Sequence, residues 1–284
     1  MRVLLGTDGS PDAVRAADWL GRFPLPAESR LLVVSVLPRL GSRAAEHQNA
    51  MHGQARQVLE DTRLKLAPRA VDVRLTEGSA REGLLQTAEE WKADLIVLGA
   101  RGLGAVERAW LGSVSLSVAR EARCAVMIVK GGAQALQRVV VGLDGSEHSR
   151  HALSFMASLP LAADTELLLV GVAEKTHFPR SAPSVVADQL HAFVAELDEE
   201  EQSRKLQILA DAEKTINRKG RVQLKSVVGN PPDEIVAAAK TTGAQLIVLG
   251  SRGIGRLQRL VLGSVSESVL LQSECTVMIT KHPG

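Results

Sequence analysis

The chain has 284 residues, is 45% hydrophobic and carries a formal net charge of +2 from 34 basic and 32 acidic side chains mixed along its length. That length suggests two domains with sizeable cores, and the balance of charge excludes the basic footprint of a nucleic-acid binder or of a protein held to an acidic membrane surface. Three Trp, four Phe and no Tyr leave little for base stacking, and no apolar run forms a signal peptide or approaches the ~20 residues of a membrane helix, so neither nucleic acid nor membrane is expected as a partner and the expected location is cytoplasmic.

From the N-terminus, strands are predicted at residues 2–6, 30–37, 71–77, 94–99 and 125–130, with helices between them at 11–21, 44–67, 82–92 and 113–122. A short join, GGAQALQ at 131–137, reads as a linker. The same succession then returns, with strands at 138–143, 166–173, 223–228, 245–250 and 276–281 and helices at 147–158, 184–219, 233–242 and 264–272. The strand runs are nearly continuous in Val, Ile and Leu, the pattern of strands buried on both faces of a parallel sheet. The predicted class is therefore α/β, two tandem doubly wound parallel five-stranded sheets of Rossmann-like form, with domains at 1–131 and 138–284.

The halves are copies. Residues 3–20 match 139–156 at an offset of 136, and residues 93–130 match 244–281 at an offset of 151 with 22 identities in 38 positions. Such self-similarity predicts duplication of one unit of ~130 residues. The 15-residue difference in offset is an insertion between Glu174 and Arg218, where the helical pattern 184–219 predicts a longer helix or a flap over one pocket. Glu200–Arg204 and Glu201–Lys205 have i,i+4 spacing there, expected on a solvated face.

Each copy places a glycine-rich turn after its fourth strand: Gly99, Gly102, Gly104 and Gly112, then Gly250, Gly253, Gly255 and Gly263. A helix beginning at Ser113 or Ser264 follows. Strand, glycine turn and helix N-terminus together make an anion site, since free N–H groups and the positive end of the helix dipole point at a phosphate. The first strand of each copy ends in Thr7-Asp8-Gly9-Ser10 or Leu143-Asp144-Gly145-Ser146. If strands one and four are neighbours, Asp8 and Asp144 face the same crevice; as Asp-Gly pairs they are equally plain turn residues. No G-x-x-x-x-G-K-[ST] loop occurs, and no G-x-G-x-x-G follows the first strand, which sets aside the P-loop and dinucleotide-binding readings.

At these residues the sequence resembles the universal stress protein family, and both repeats carry the spacing of its nucleotide signature: Gly, two residues, Gly, nine residues, Gly-Ser. It reads Gly99-Ala100-Arg101-Gly102 to Gly112-Ser113, and Gly250-Ser251-Arg252-Gly253 to Gly263-Ser264. The resemblance implies a fold like that of the adenine nucleotide alpha hydrolases and a bound ATP, with magnesium or manganese held through its phosphates. Gly99, Gly102, Gly112, Ser113 and nearby Ser115 would hold phosphates and ribose, as would Gly250, Gly253, Gly263, Ser264 and Ser266. Asp8 and Asp144 would lie near the sugar and the cation, and the backbone of Val36 and Val172 would meet adenine. It further implies that the last strands pair antiparallel across a pseudo-two-fold axis, and that two chains associate as a homodimer with four domains.

Other residues divide between chemistry and packing. Arg101, Arg108, Arg252 and Arg259 recur in both copies and fit either neutralisation of a polyphosphate or a solvated face. His148 and His151 are expected as surface histidines, as are His47 and His52, and Trp19, Trp91 and Trp110 as core. Cys124 and Cys275 match between copies and read as small apolar residues. Three functions follow: an ATP-binding regulatory module of the stress response, a scaffold or chaperone-like interaction protein with vestigial pockets, or a slow ATP hydrolase. No repeated His or Glu motif supplies the water-positioning group that hydrolysis needs, and no catalytic residue is assigned.

Overall fold

A computed structural model describes residues 1–40, 45–103, 111–132, 134–174, 184–216, 220–253 and 262–282. The order is β1 (Arg2–Gly6), α1 (Pro11–Arg22), β2 (Arg30–Leu37), α2 (Ala45–Lys65), β3 (Val71–Glu77), α3 (Ala80–Trp91), β4 (Leu95–Gly99), α4 (Ser113–Glu121) and β5 (Ala125–Val129). The second half follows with β6 (Arg138–Gly142), α5 (Glu147–Ala157), β7 (Glu166–Ala173), α6 (Ser184–Ile216), β8 (Val222–Val228), α7 (Pro231–Thr242), β9 (Leu246–Gly250), α8 (Ser264–Gln272) and β10 (Thr276–Thr280). Ends fall within two residues of prediction, except that 217–219, the predicted end of α6, lie outside the described residues. The largest differences have local causes. α7 starts at Pro231, two residues early, because a fixed φ and a missing N–H suit the first helical turn. α3 starts at Ala80 after Ser79 in the cap position.

The strands form one sheet in the order β3-β2-β1-β4-β5-β10-β9-β6-β7-β8. Each half is parallel and doubly wound, as predicted. The halves meet where β5 and β10 run antiparallel, Met127 opposite Met278, Ile128 opposite Val277 and Val126 opposite Ile279. Equivalent residues thus face each other about a pseudo-two-fold axis, an isologous seam inside one chain. Across it Lys130 Nζ donates to the carbonyls of Leu270 (2.5 Å) and Ser273 (2.8 Å) at the end of α8. Lys281 Nζ does the same to Ala119 (2.8 Å) and Arg120 (3.2 Å) at the end of α4.

Both faces of the sheet are covered, which is why the strands read as unbroken apolar runs. Val3, Leu5, Leu95, Val97, Val139 and Val141 point to one face and pack with Trp19, Leu20, Leu59, Leu66, Met156, Leu209 and Ile216 of α1, α5 and the segments of α2 and α6. Leu4, Ile96, Val140 and Ile247 point to the other and meet Leu84, Val118, Ile235 and Val269. Full burial of each such side chain contributes about 1.5–3 kcal/mol. Trp19 is core, stacked on Phe23 at 5.0 Å, and Trp91 packs partly buried on the second cluster. Trp110, Arg108 and Arg259 lie outside the described residues, as do Gly104 and Gly255.

One expectation fails. Glu201 and Lys205 do pair at 2.9 Å, but Lys205 is 5% exposed, not on a wet face. Arg204 pairs with Glu201 at 3.5 Å rather than with Glu200. Lys205 is one helical step before Leu209, Ala212 and Ile216, all buried, and the stripe carries it inward.

Candidate nucleotide site

The chemistry-bearing residues gather beyond the carboxyl ends of the strands. β1 pairs with β2 on one side and β4 on the other, and β6 likewise lies between β7 and β9. The strand order reverses at these positions, leaving a crevice between loops that diverge to opposite faces. Asp8 and Asp144 therefore face it, as their places in the pattern required.

The first-strand loop is a tight turn. Gly9 and Gly145 have φ of +77° and +87°, and Asp8 Oδ1 and Asp144 Oδ1 accept the amides of Ser10 (3.0 Å) and Ser146 (2.9 Å). Ser10 and Ser146 then cap α1 and α5, accepting from the amides of Ala13 and Ser149. The second oxygen of Asp8 accepts the amide of Leu103 at 2.9 Å, tying this turn to the glycine loop. Gly102 is needed for that approach, because a Cβ there would lie 2.6 Å from Asp8 Oδ2; at Gly253 it would lie 2.7 Å from Asp144 Oδ2. Both readings of these aspartates meet in one geometry, a turn residue whose carboxylate borders the crevice.

Gly99 and Gly250 serve packing. A Cβ on either would come within 2.5 Å of backbone carbon, at Asp12 or His148, so glycine lets the start of α1 or α5 lie against the strand. Gly112 and Gly263 occupy the cap positions of α4 and α8, where no side chain accepts from the first helical turn. A Cβ on either would meet the preceding loop backbone at 3.3 Å. Their own amides are taken by Ala100 and Ser251 carbonyls; the helical amides that follow are left uncapped by side chains. Ser115 and Ser266 are buried, and their hydroxyls donate to the carbonyls of Gly99 (2.8 Å) and Gly250 (2.7 Å). They strut the helix against the strand end.

Two cavities occupy the crevices. The first, about 310 Å³, is lined by Asp8, Val36, Gly99, Gly102, Gly112, Ser113 and Ser115. The second, about 1020 Å³, is lined by Asp144, Val172, Gly250, Gly253, Gly263, Ser264 and Ser266. Each repeat thus brings all seven of its predicted residues to one cavity, with volumes in the range of small-molecule sites. Sequence reasoning missed the apolar wall from the third helix of each repeat, Ala80 and Leu84 or Pro231 and Ile235. It also missed Leu197, Glu201 and Lys205 of α6, which line the second cavity alone; the buried stripe through Lys205 was the signal for them. Arg101 pairs with Asp12 at 3.0 Å. His148 and His151 are half-buried, each ring edge-on to His282.

The universal stress protein family model matches residues 1–130 and again 135–281. The chain belongs to the universal stress protein family. It is a tandem, two-domain member. A 146-residue stretch is 34% identical to the universal stress protein YxiE of Bacillus subtilis, covering 51% of this chain and 98% of that one. A universal stress protein of Mycobacterium tuberculosis is 26% identical over 99% of this chain and 95% of its own length. In fold the chain is similar to the crystal structure of a universal stress protein from Archaeoglobus fulgidus, with a TM-score of 0.70, 24% identity and coverage of 100% of this chain and 98% of that one. No described helix of this universal stress protein is long and apolar enough to cross a membrane.

Proposed function

We propose that this universal stress protein is an ATP-binding regulatory module of the stress response, with one nucleotide in each crevice. The observation that carries the reading is the glycine-capped N-terminus of α4 and of α8, open to a cavity at a switch point in both repeats. Amides that no side chain caps favour an oxyanion, and the dipole adds to the attraction. Phosphates would sit against Gly102, Gly112 and Ser113, or Gly253, Gly263 and Ser264. Adenine would meet the strand-end backbone at Val36 or Val172 beside the apolar wall of the third helix. Asp8 and Asp144 would face the ribose and a magnesium or manganese ion carried by the phosphates; a carboxylate bordering the crevice is the oxygen donor a hard cation takes. Residues 1–131 and 138–284 would act as the two binding domains, in a cytoplasmic homodimer.

The test is the nucleotide content of protein purified without added ligand, released by denaturation and quantified by anion-exchange chromatography with mass spectrometry. ATP is expected, up to two equivalents, with calorimetric binding to the stripped protein. Gly112→Val and Gly263→Val should each remove one equivalent. Nothing released and no ATP bound on titration would overturn the reading. Release of ADP or AMP instead would favour an enzyme.

A further inference from the structure

Resting on that nucleotide reading, we propose that the second pocket is the polyphosphate-selective one of the pair, and that Arg252 is the side chain that makes it so. The ligand it selects is a nucleoside triphosphate over the corresponding monophosphate.

Both repeats place an arginine in the glycine loop, but with different partners. In the first, Arg101 Nε donates to Asp12 Oδ2 at 3.0 Å, and Arg15 pairs with the other oxygen of the same carboxylate, whose side chain is 8% exposed. Arg101 also lines the first cavity, but its Nε is committed to a carboxylate that it shares with Arg15. In the second repeat the positions of Asp12 and Arg15 are held by His148 and His151. His148 Nδ1 lies 3.3 Å from Ser251 Oγ, so its hydrogen bond goes to a hydroxyl. Arg252 lines the cavity, and its Nε is buried with no hydrogen-bond partner among the described residues.

A buried N–H without an acceptor is unfavourable, and a charge-assisted bond to an oxyanion is among the stronger polar interactions. Both arginines border their cavities, but Arg252 lacks the carboxylate partner that holds the Nε of Arg101. Burial and the neighbouring guanidinium hold His148 below the ordinary histidine range, so at neutral pH it does not duplicate the charge. The acidic groups on the same cavity are Asp144, Glu174, Glu201 and Glu267. Glu267 is held by Arg120 across the seam, Glu201 by Lys205 and Arg204, and Asp144 takes the amide of Ser146. Asp144 has its counterpart in Asp8, so it does not distinguish the two pockets. The second cavity is also the roomier.

The experiment is calorimetric titration of the full chain with ATP and with AMP, in wild type and in Arg252→Met, His148→Asp and Asp12→His variants. Two classes of ATP site are expected in wild type. Arg252→Met should weaken the tighter class about tenfold, the scale of one lost charged hydrogen bond, with AMP affinity moving less than twofold. His148→Asp should do the same by giving Arg252 the partner Arg101 has. Asp12→His should tighten ATP at the other class, a gain that misfolding cannot mimic. Equal ATP-to-AMP preference at both pockets, unchanged by all three substitutions, overturns this proposal and leaves the nucleotide reading standing. Binding of neither nucleotide to wild type overturns both.

Discussion

At the scale of single residues, the repeat supplies internal controls. Lys92 and Gly243 are the same helix end, and both take the left-handed conformation, at φ of 55° and 63°. A lysine there carries a steric cost of about 1–2 kcal/mol that glycine avoids, offset in part by glycine's greater entropy loss on folding. Lys92→Gly is therefore expected to stabilise the protein by about 0.5–1 kcal/mol, read as a higher urea midpoint at unchanged slope. Gly99→Ala should act in the opposite direction. Its methyl would overlap the backbone at Asp12, and separating β4 from α1 is expected to cost about 1–3 kcal/mol. An unchanged melting temperature for Gly99→Ala would show that α1 does not need that approach.

Among the elements, the seam of β5 and β10 decides how the repeats behave together. Each last strand ends in a lysine whose ammonium group binds the closing carbonyls of the other repeat's last helix. Cations are favoured at helix C-termini, although burial pushes both ammonium groups down to about 8. Replacing Lys130 and Lys281 with Met removes the bonds and keeps most of the stem's packing. The expected loss is about 1–3 kcal/mol in chemical denaturation, with the two halves unfolding less cooperatively than in wild type. A double variant that unfolds like wild type would assign the coupling to the strand pairing alone. α6 is the other element with its own consequence: at 33 residues against 21 for α2, it brings Leu197, Glu201 and Lys205 to one cavity of the two.

For the molecule as a whole, the half-buried histidines near the second pocket give stability a pH dependence. Desolvation first, then the charges of Arg252 and His282, hold His148 below its ordinary 6.5, against the opposing pull of Asp144 and Glu147; desolvation and His282 lower His151. The folded state therefore binds fewer protons than the unfolded state as pH falls through 6.5. Their contribution is complete above that value and declines below it. Thermal melts at pH 7.5 and 5.5 should show a drop that shrinks in a His148→Asn, His151→Asn double variant; equal drops would remove these residues from the acid response. Element order and fold class were legible in the sequence, and so was the gathering of seven named residues of each repeat at one cavity. Strand runs buried on both faces, glycine spacing and caps are local codes, and duplication wrote each of them twice. What the tertiary structure decided depends on contacts between distant segments: Lys205 turned inward by α6, and Arg252 without the carboxylate that Arg101 has. A charge's environment is set by what folds against it, and that is why two copies of one motif arrive at different pockets.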